Sequence, residues 1–261
     1  MAGWRSMPPA PVPAWSRPGD PRGAITLRHL LTMSAGLDHI ETGEPVARAD
    51  TNRMLFTRGA QDMAAYAESK PLAHAPGSAF TYSTPTSVIL ADIVTRSLTD
   101  STDPEARRAA MTTFLDQRLK VPLGLTSLTP EFDAHGTMIG GSFVHMTARD
   151  YARFGEFLRN QGRADGRQIL SERWVAFMRR PSAHEPAYGG HVWLNRESEH
   201  DELFADQGPS SLFACVGHQG QYVLISPAQG LTVVRLGIST TEQRVPLRKA
   251  LGRLVNLFPG T

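Results

Sequence analysis

The residues that could do chemistry in this chain are few and far apart. In "AFTYSTPTS" (79–87), Tyr82 stands two residues ahead of a Thr84-Pro85 pair. Thr84 is expected to cap a helix by accepting a bond from an early backbone N–H, and Pro85 suits the first helical position because its missing donor would have no partner there. A helix start carries partial positive charge, and a phenol near it or near a cation has its ionised form stabilised. Tyr82 therefore has two readings, an anchoring aromatic or a proton-transfer group, and on local grounds the first is the stronger. The second stretch is "VGHQGQYVLIS" (216–226), where His218-Gln219-Gly220 opens a β-rich run. A glycine there lets a substrate backbone approach the strand edge, edge N–H groups can stabilise an oxyanion, and imidazole titrates near neutrality. A loop histidine between two turn glycines fits the same letters equally well.

Other chemistries are missing their motifs. "GGSFV" (140–144) lacks the second glycine of a G-x-S-x-G elbow, and no phosphate loop or dinucleotide fingerprint is present. The nine histidines include no H-E-x-x-H pair, and "ESEHDE" (197–202) reads as a solvated acidic loop, so no metal and no cofactor are expected. A formal net charge of +2 without a basic run points away from nucleic acid. Cys215 is the lone cysteine, which excludes an internal disulfide framework. No stretch approaches the roughly 18 apolar residues that cross a membrane. The N-terminus has no apolar signal core, so the default compartment is cytoplasmic.

The elements that must position these residues can be read from caps and periodicity. Residues 1–23 are proline-rich and expected to be extended, like a linker. Thr26 caps a short helix ended by Gly36, residues 37–60 read as irregular, and a helix falls near 61–69. The helix after Tyr82 runs to Ser97, and another runs from Asp103-Pro104 to about Leu119. Thr147 and Ser171 cap two more helices. From residue 187 the runs "GGHVWLN", "SSLFACVG", "QYVLISP" and "LTVVRLG" predict strands, with a tight hairpin at Ser226–Gly230 and a closing helix from Val245 to Leu257. The division expected is an extended lead (1–23), a mainly helical part (24–186), and antiparallel strands with a C-terminal helix (187–261). The class is α+β.

Taken together and in order, "PGDPRGAITLRHLLTMSAGL", "PGSAFTYS", "TARDYARFG" and "GHQGQ" resemble the serine β-lactamase and penicillin-binding family. Its class C, esterase and 6-aminohexanoate-dimer hydrolase branch is the nearest in pattern. The resemblance implies a β-lactamase/transpeptidase-like fold and attack on a small-molecule amide or ester through an acyl-enzyme. It implies that Tyr82 is the proton shuttle of a Tyr-x-Asn-type motif, with Thr84 where the asparagine would stand. It also makes His218-Gln219-Gly220 the His-x-Gly form of the strand motif, with the Gln221 N–H completing the oxyanion hole. Both segments would then serve one acylation cleft.

The Ser-x-x-Lys nucleophile of that family has no counterpart here. The three lysines, Lys70, Lys120 and Lys249, follow Ala67, Gln117 and Pro246 at that spacing, and neither Ser34 nor Ser142 has a lysine or histidine in a recognisable relation. The expectation is a shortened member whose early strands and nucleophile helix are missing. It would be inactive alone and prone to self-association through an exposed sheet edge. A non-catalytic binding module is the competing reading.

Overall fold

The computed structural model describes residues 7–200 and 202–260. Residues 1–6 of the proline-rich lead, Asp201 in the acidic loop and Thr261 lie outside the described residues. The chain forms two compact units, Met1–Asp116 with Thr129–His145, and Gln117–Leu128 with Met146–Thr261. This is not the division expected at residue 186, and the reason lies in how the second unit packs.

In the first unit the lead is more than an extended linker. Pro13–Trp15 and Pro21–Ala24 are 3-10 turns, and the Ala10 N–H donates to Ile25 O at 2.7 Å. Trp15 is only 2% exposed, and its indole N–H donates to Glu68 O at 3.0 Å. A buried indole offers a large apolar area together with a polar atom that needs a partner, and here both requirements are met. Helix α1 (Leu27–Leu31) starts at the Thr26 cap and ends before Gly36, because Met33 already turns left-handed at φ 53°.

Helix α2 (Asp50–Phe56) occupies part of the stretch expected to be irregular. Its cap residue Ala49 offers no side-chain bond, so nothing in the local pattern marks its start. Helices α3 (Met63–Glu68), α4 (Thr84–Leu98) and α5 (Pro104–Leu115) follow. Their shared core includes Trp15, Ile25, Leu30, Met54, Val88 and Ile89. Strands β1 (Thr129–Pro130) and β2 (Val144–His145) pair antiparallel. Between them, a Cβ on Gly141 would lie 2.7 Å from Thr84 O, so the "GGS" segment lays bare backbone on the first turn of α4.

A π-turn at Asp116–Lys120 leads into the second unit and its α6 (Val121–Leu123), closed by Gly124 at φ 64°. Then come α7 (Ala148–Arg159), the hairpin β3 (Arg163–Ala164) and β4 (Arg167–Gln168), and α8 (Glu172–Met178). Strands β5 (Trp193–Leu194), β6 (Phe213–Gly217), β7 (Gln221–Ser226) and β8 (Leu231–Arg235) form one antiparallel sheet in sequential order. Helix α9 (Thr241–Asn256) starts four residues before the expected Val245 and carries Pro246 inside it. Helix α7 lies directly on the sheet: a Cβ at Gly155 would fall 2.6 Å from Thr232 Cγ2 and 2.9 Å from Val223 Cγ1. Only glycine allows that approach, so α7 belongs with the strands although it precedes residue 187. No helix among the described residues is long and apolar enough to cross a membrane.

Removing the indole tests whether the lead is part of the core. Trp15→Ala should lower unfolding free energy by about 3–5 kcal/mol in urea denaturation. A loss below about 1 kcal/mol would mean that residues 10–25 merely tether the unit.

Candidate active site

At the start of α4, polar groups are buried and must find partners within the fold. Ser83, Thr84 and Thr86 are 1%, 8% and 2% exposed. Ser83, rather than Thr84, is the N-cap, accepting from the Thr86 N–H at 3.2 Å, and Pro85 falls at the second helical position. The cap is one residue early because Glu41 claims Thr84. Its Oε2 accepts the Thr84 N–H and its Oε1 the Thr84 hydroxyl, each at 2.7 Å. A carboxylate thus sits on the positive end of the helix, where it is favoured. The same Oε2 accepts the Thr51 hydroxyl at 2.7 Å, tying α2 to this point.

His39 supports the cap from the other side. Its Nε2 faces Ala67 O at 3.1 Å and its Nδ1 faces the Ser83 hydroxyl at 2.8 Å. A carbonyl only accepts, so Nε2 carries the proton and Nδ1 accepts from Ser83, leaving the hydroxyl oxygen to receive Thr86. Burial is the main cause that pushes the His39 pKa down to about 4, with Lys70 adding to it and the Ala67 carbonyl and nearby carboxylates opposing. Ser83 and His39 therefore form a hydroxyl–imidazole pair that is sealed and structural. Ser34, 5% exposed, is likewise buried, with its hydroxyl 3.1 Å from that of Thr32.

Beneath His39, the Asp50 carboxylate accepts from Lys70, from the Tyr66 hydroxyl at 2.6 Å and from the Ile40 N–H at 2.9 Å. Burial works against its charge, but these three donors together hold its pKa below the ordinary value. Lys70 is thereby committed to an ion pair. Tyr82 is half-buried and held on both sides, by the Thr81 N–H donating to Met33 O at 2.8 Å and by the Ser83 cap. The phenol is thus carried on a backbone with little freedom at a helix start, as a proton-transfer group requires. The Thr84 hydroxyl is bound to Glu41, so it is not an open substrate contact.

In the second unit, His218-Gln219-Gly220 is the turn between β6 and β7, with Gly217 opposite Gln221, rather than the beginning of a strand. Gln219 and Gly220 are left-handed, at φ 57° and 87°. Gly220 has a folding reason to be glycine: a Cβ would also lie 3.0 Å from Leu247 and 3.2 Å from Arg235 Nη1. The Gln221 side chain braces the turn, donating to His218 O at 3.1 Å and Gly237 O at 2.6 Å while accepting the Gly237 N–H at 2.9 Å. Arg235 donates to Gly220 O at 2.7 Å and to the Ser239 hydroxyl at 2.7 Å, and the Ser239 N–H holds Gln219 O at 2.9 Å. His218 is exposed at the tip, and its ring makes no hydrogen bond among the described residues.

Tyr82 and Thr84 are thus neighbours at one helix end, and His218 through Gln221 share one turn in the other unit. The supporting residues His39, Glu41, Asp50 and Arg235 were not expected from sequence, since each acts through partners distant along the chain. Acid stability reads out the buried imidazole. A base with a depressed folded pKa leaves the unfolded chain holding more protons between about 6.5 and 4, so stability falls as pH falls through that window. The His39 share is ~3 kcal/mol at pH 4. His39→Gln should lose that part of the wild-type slope in urea melts run from pH 7 to 4, and an identical slope would refute the buried neutral imidazole.

Comparison with known proteins shows where this arrangement belongs. A protein-family model described as Beta-lactamase matches residues 9–257. Protein Rv1367c of Mycobacterium tuberculosis is 30% identical over 184 residues, covering 60% of this chain and 44% of its own length. The chain therefore spans less than half of that relative. Among solved structures, a Bacillus anthracis protein assigned as a 6-aminohexanoate-dimer hydrolase superposes with a TM-score of 0.65 at 18% identity, over 93% of this chain and 64% of its own. EstCE1, a hydrolase with promiscuous acyltransferase activity, gives 0.58 at 18% identity, over 88% and 71%. These two likenesses show a common α+β fold, and the family match extends over nearly the whole sequence: the chain belongs to the Beta-lactamase family.

Proposed function

We propose that this chain is the tyrosine- and hairpin-bearing portion of a β-lactamase-related serine hydrolase that cleaves an amide or ester through an acyl-enzyme. The observation that carries the reading is Tyr82, the residue just before the α4 N-cap, whose following backbone is held by the Ser83 cap and the Glu41 bridge. In this reading the Tyr82 oxygen moves a proton between nucleophile and leaving group. The turn at His218–Gln221 supplies backbone N–H to the oxyanion and an imidazole beside it. The serine itself comes from a Ser-x-x-Lys segment outside the 261 residues, which contain none. Esters, small peptides or ω-amino-acid oligomers suit the His-x-Gly form better than β-lactams do. The second reading, a non-catalytic binding module, is favoured by that same missing motif.

Intact-mass spectrometry separates the two. The 261-residue chain should take up no acyl group from a p-nitrophenyl ester or penicillin. The polypeptide translated in frame from further upstream should carry Ser-x-x-Lys and gain one acyl mass. In it, Tyr82→Phe should slow acylation by about 10²–10⁴-fold. An upstream sequence without the motif, together with no adduct, would leave the binding module as the account.

A further inference from the structure

The first unit holds a cavity of about 360 Å³ at the far end of α4, lined by Asp62, Glu68, Asp92, Arg96, Asp100 and Arg107 among others. Asp92 and Arg96 lie eight and twelve residues beyond Thr84, roughly 12–18 Å along the axis, so this is not the Tyr82 end of the helix. Its volume is in the range of small-molecule sites.

Which ligand it suits follows from which wall groups are already bound. Both guanidinium groups are ion-paired to carboxylates of the wall. Arg96 donates to Glu68 Oε1 at 3.2 Å and is ion-paired with Asp92, its Nε 2.7 Å from Asp92 Oδ2. Arg107 donates to Asp92 Oδ1 at 2.5 Å, to the Thr137 hydroxyl at 2.9 Å and to His135 O at 2.9 Å. Several carboxylate oxygens of the wall are less engaged. Glu68 is 8% exposed, and its Oε2 accepts no hydrogen bond from the described residues. Asp62 gives Oδ1 to the Ala65 N–H, while its Oδ2 has only His135 Nδ1, at 3.9 Å. Asp100 is exposed and its carboxylate makes no hydrogen bond among the described residues. The wall therefore carries four carboxyl groups against two guanidinium groups, both of them ion-paired, and has open carboxylate lone pairs. Among the described residues no three His, Cys, Asp or Glu side chains are placed to hold a metal ion.

We propose that this cavity binds a small organic cation, an alkylammonium or alkylguanidinium, through Glu68 Oε2 with Asp62 and Asp100 at its mouth. The protonation of Glu68 fits that role. Burial first, then the negative charges of Asp92 and Asp62, push its pKa up to about 7 against the pull of Arg96 and Arg22. His135 and Arg107 complete the charged groups around it. An entering cation would displace the Glu68 proton to solvent, so binding tightens as pH rises through 7.

Calorimetric titration of the 261-residue chain with n-butylammonium and with ethylguanidinium, using 1-butanol as the uncharged control, tests this. Saturable one-to-one binding of the cations alone is expected. It should be about tenfold tighter at pH 8 than at pH 6, the ratio of ionised carboxylate at the two values. Glu68→Gln should abolish that pH dependence and weaken binding at pH 8 at least tenfold. Asp100→Asn, on the surface, keeps the test open should the first variant not fold, and it should weaken binding of the cations without affecting butanol. No saturation at millimolar cation, equal binding of butanol, or a pH dependence that survives Glu68→Gln would each overturn the site.

Discussion

A buried helix start has to satisfy its own backbone donors, and the first unit is organised around how α4 does so. Water cannot reach these N–H groups, and an unpaired one costs about as much as a lost hydrogen bond. Glu41 and Ser83 supply the acceptors, and each draws in a further element: Glu41 takes Thr51 of α2, and Ser83 takes His39, which in turn reaches Ala67 of α3. Three helices and the 38–41 loop are thereby fixed to one point. Tyr82 is the residue immediately outside it. Its placement is a consequence of backbone satisfaction, and the proton-transfer role proposed for it would rest on the rigidity that results.

The second unit solves the opposite problem, an exposed turn that must not wander. Two left-handed residues in succession leave the carbonyls of His218, Gln219 and Gly220 outside the ladder. Gln221, Arg235 and the Ser239 N–H capture all three. The imidazole of His218 is the part left facing solvent. Helix end and hairpin share a design: long-range side chains restrain the main chain, and the residue proposed for chemistry sits beside the restraint rather than within it.

What could be read from the sequence followed the range of the forces involved. The caps at Thr26, Asp103, Thr147 and Ser171 act within three residues and appear where the letters place them. The four β-rich runs likewise become the four strands of one sheet. Longer reach defeated local reading. Glu41 meets Thr84 across 43 residues and displaces the cap to Ser83. Trp15 meets Glu68 across 53 residues and turns a proline-rich lead into core. Helix α2 is held by a buried acid, Asp50, as well as by Met54, and a hydrophobic pattern cannot announce the acid. Gly155 contacts the sheet through the side chain it lacks, so α7's allegiance was visible only in three dimensions.

The proposed function requires Tyr82 and His218 to act in one acylation step. Groups that work together in a transition state are strongly non-additive, because losing either removes most of what both provide. The direct measurement is a double-mutant cycle in kcat/KM for ester hydrolysis, made in the polypeptide that carries the nucleophile, with Tyr82→Phe, His218→Ala and the pair. The account predicts that the double variant is little worse than the poorer single one. Effects that multiply independently would contradict it.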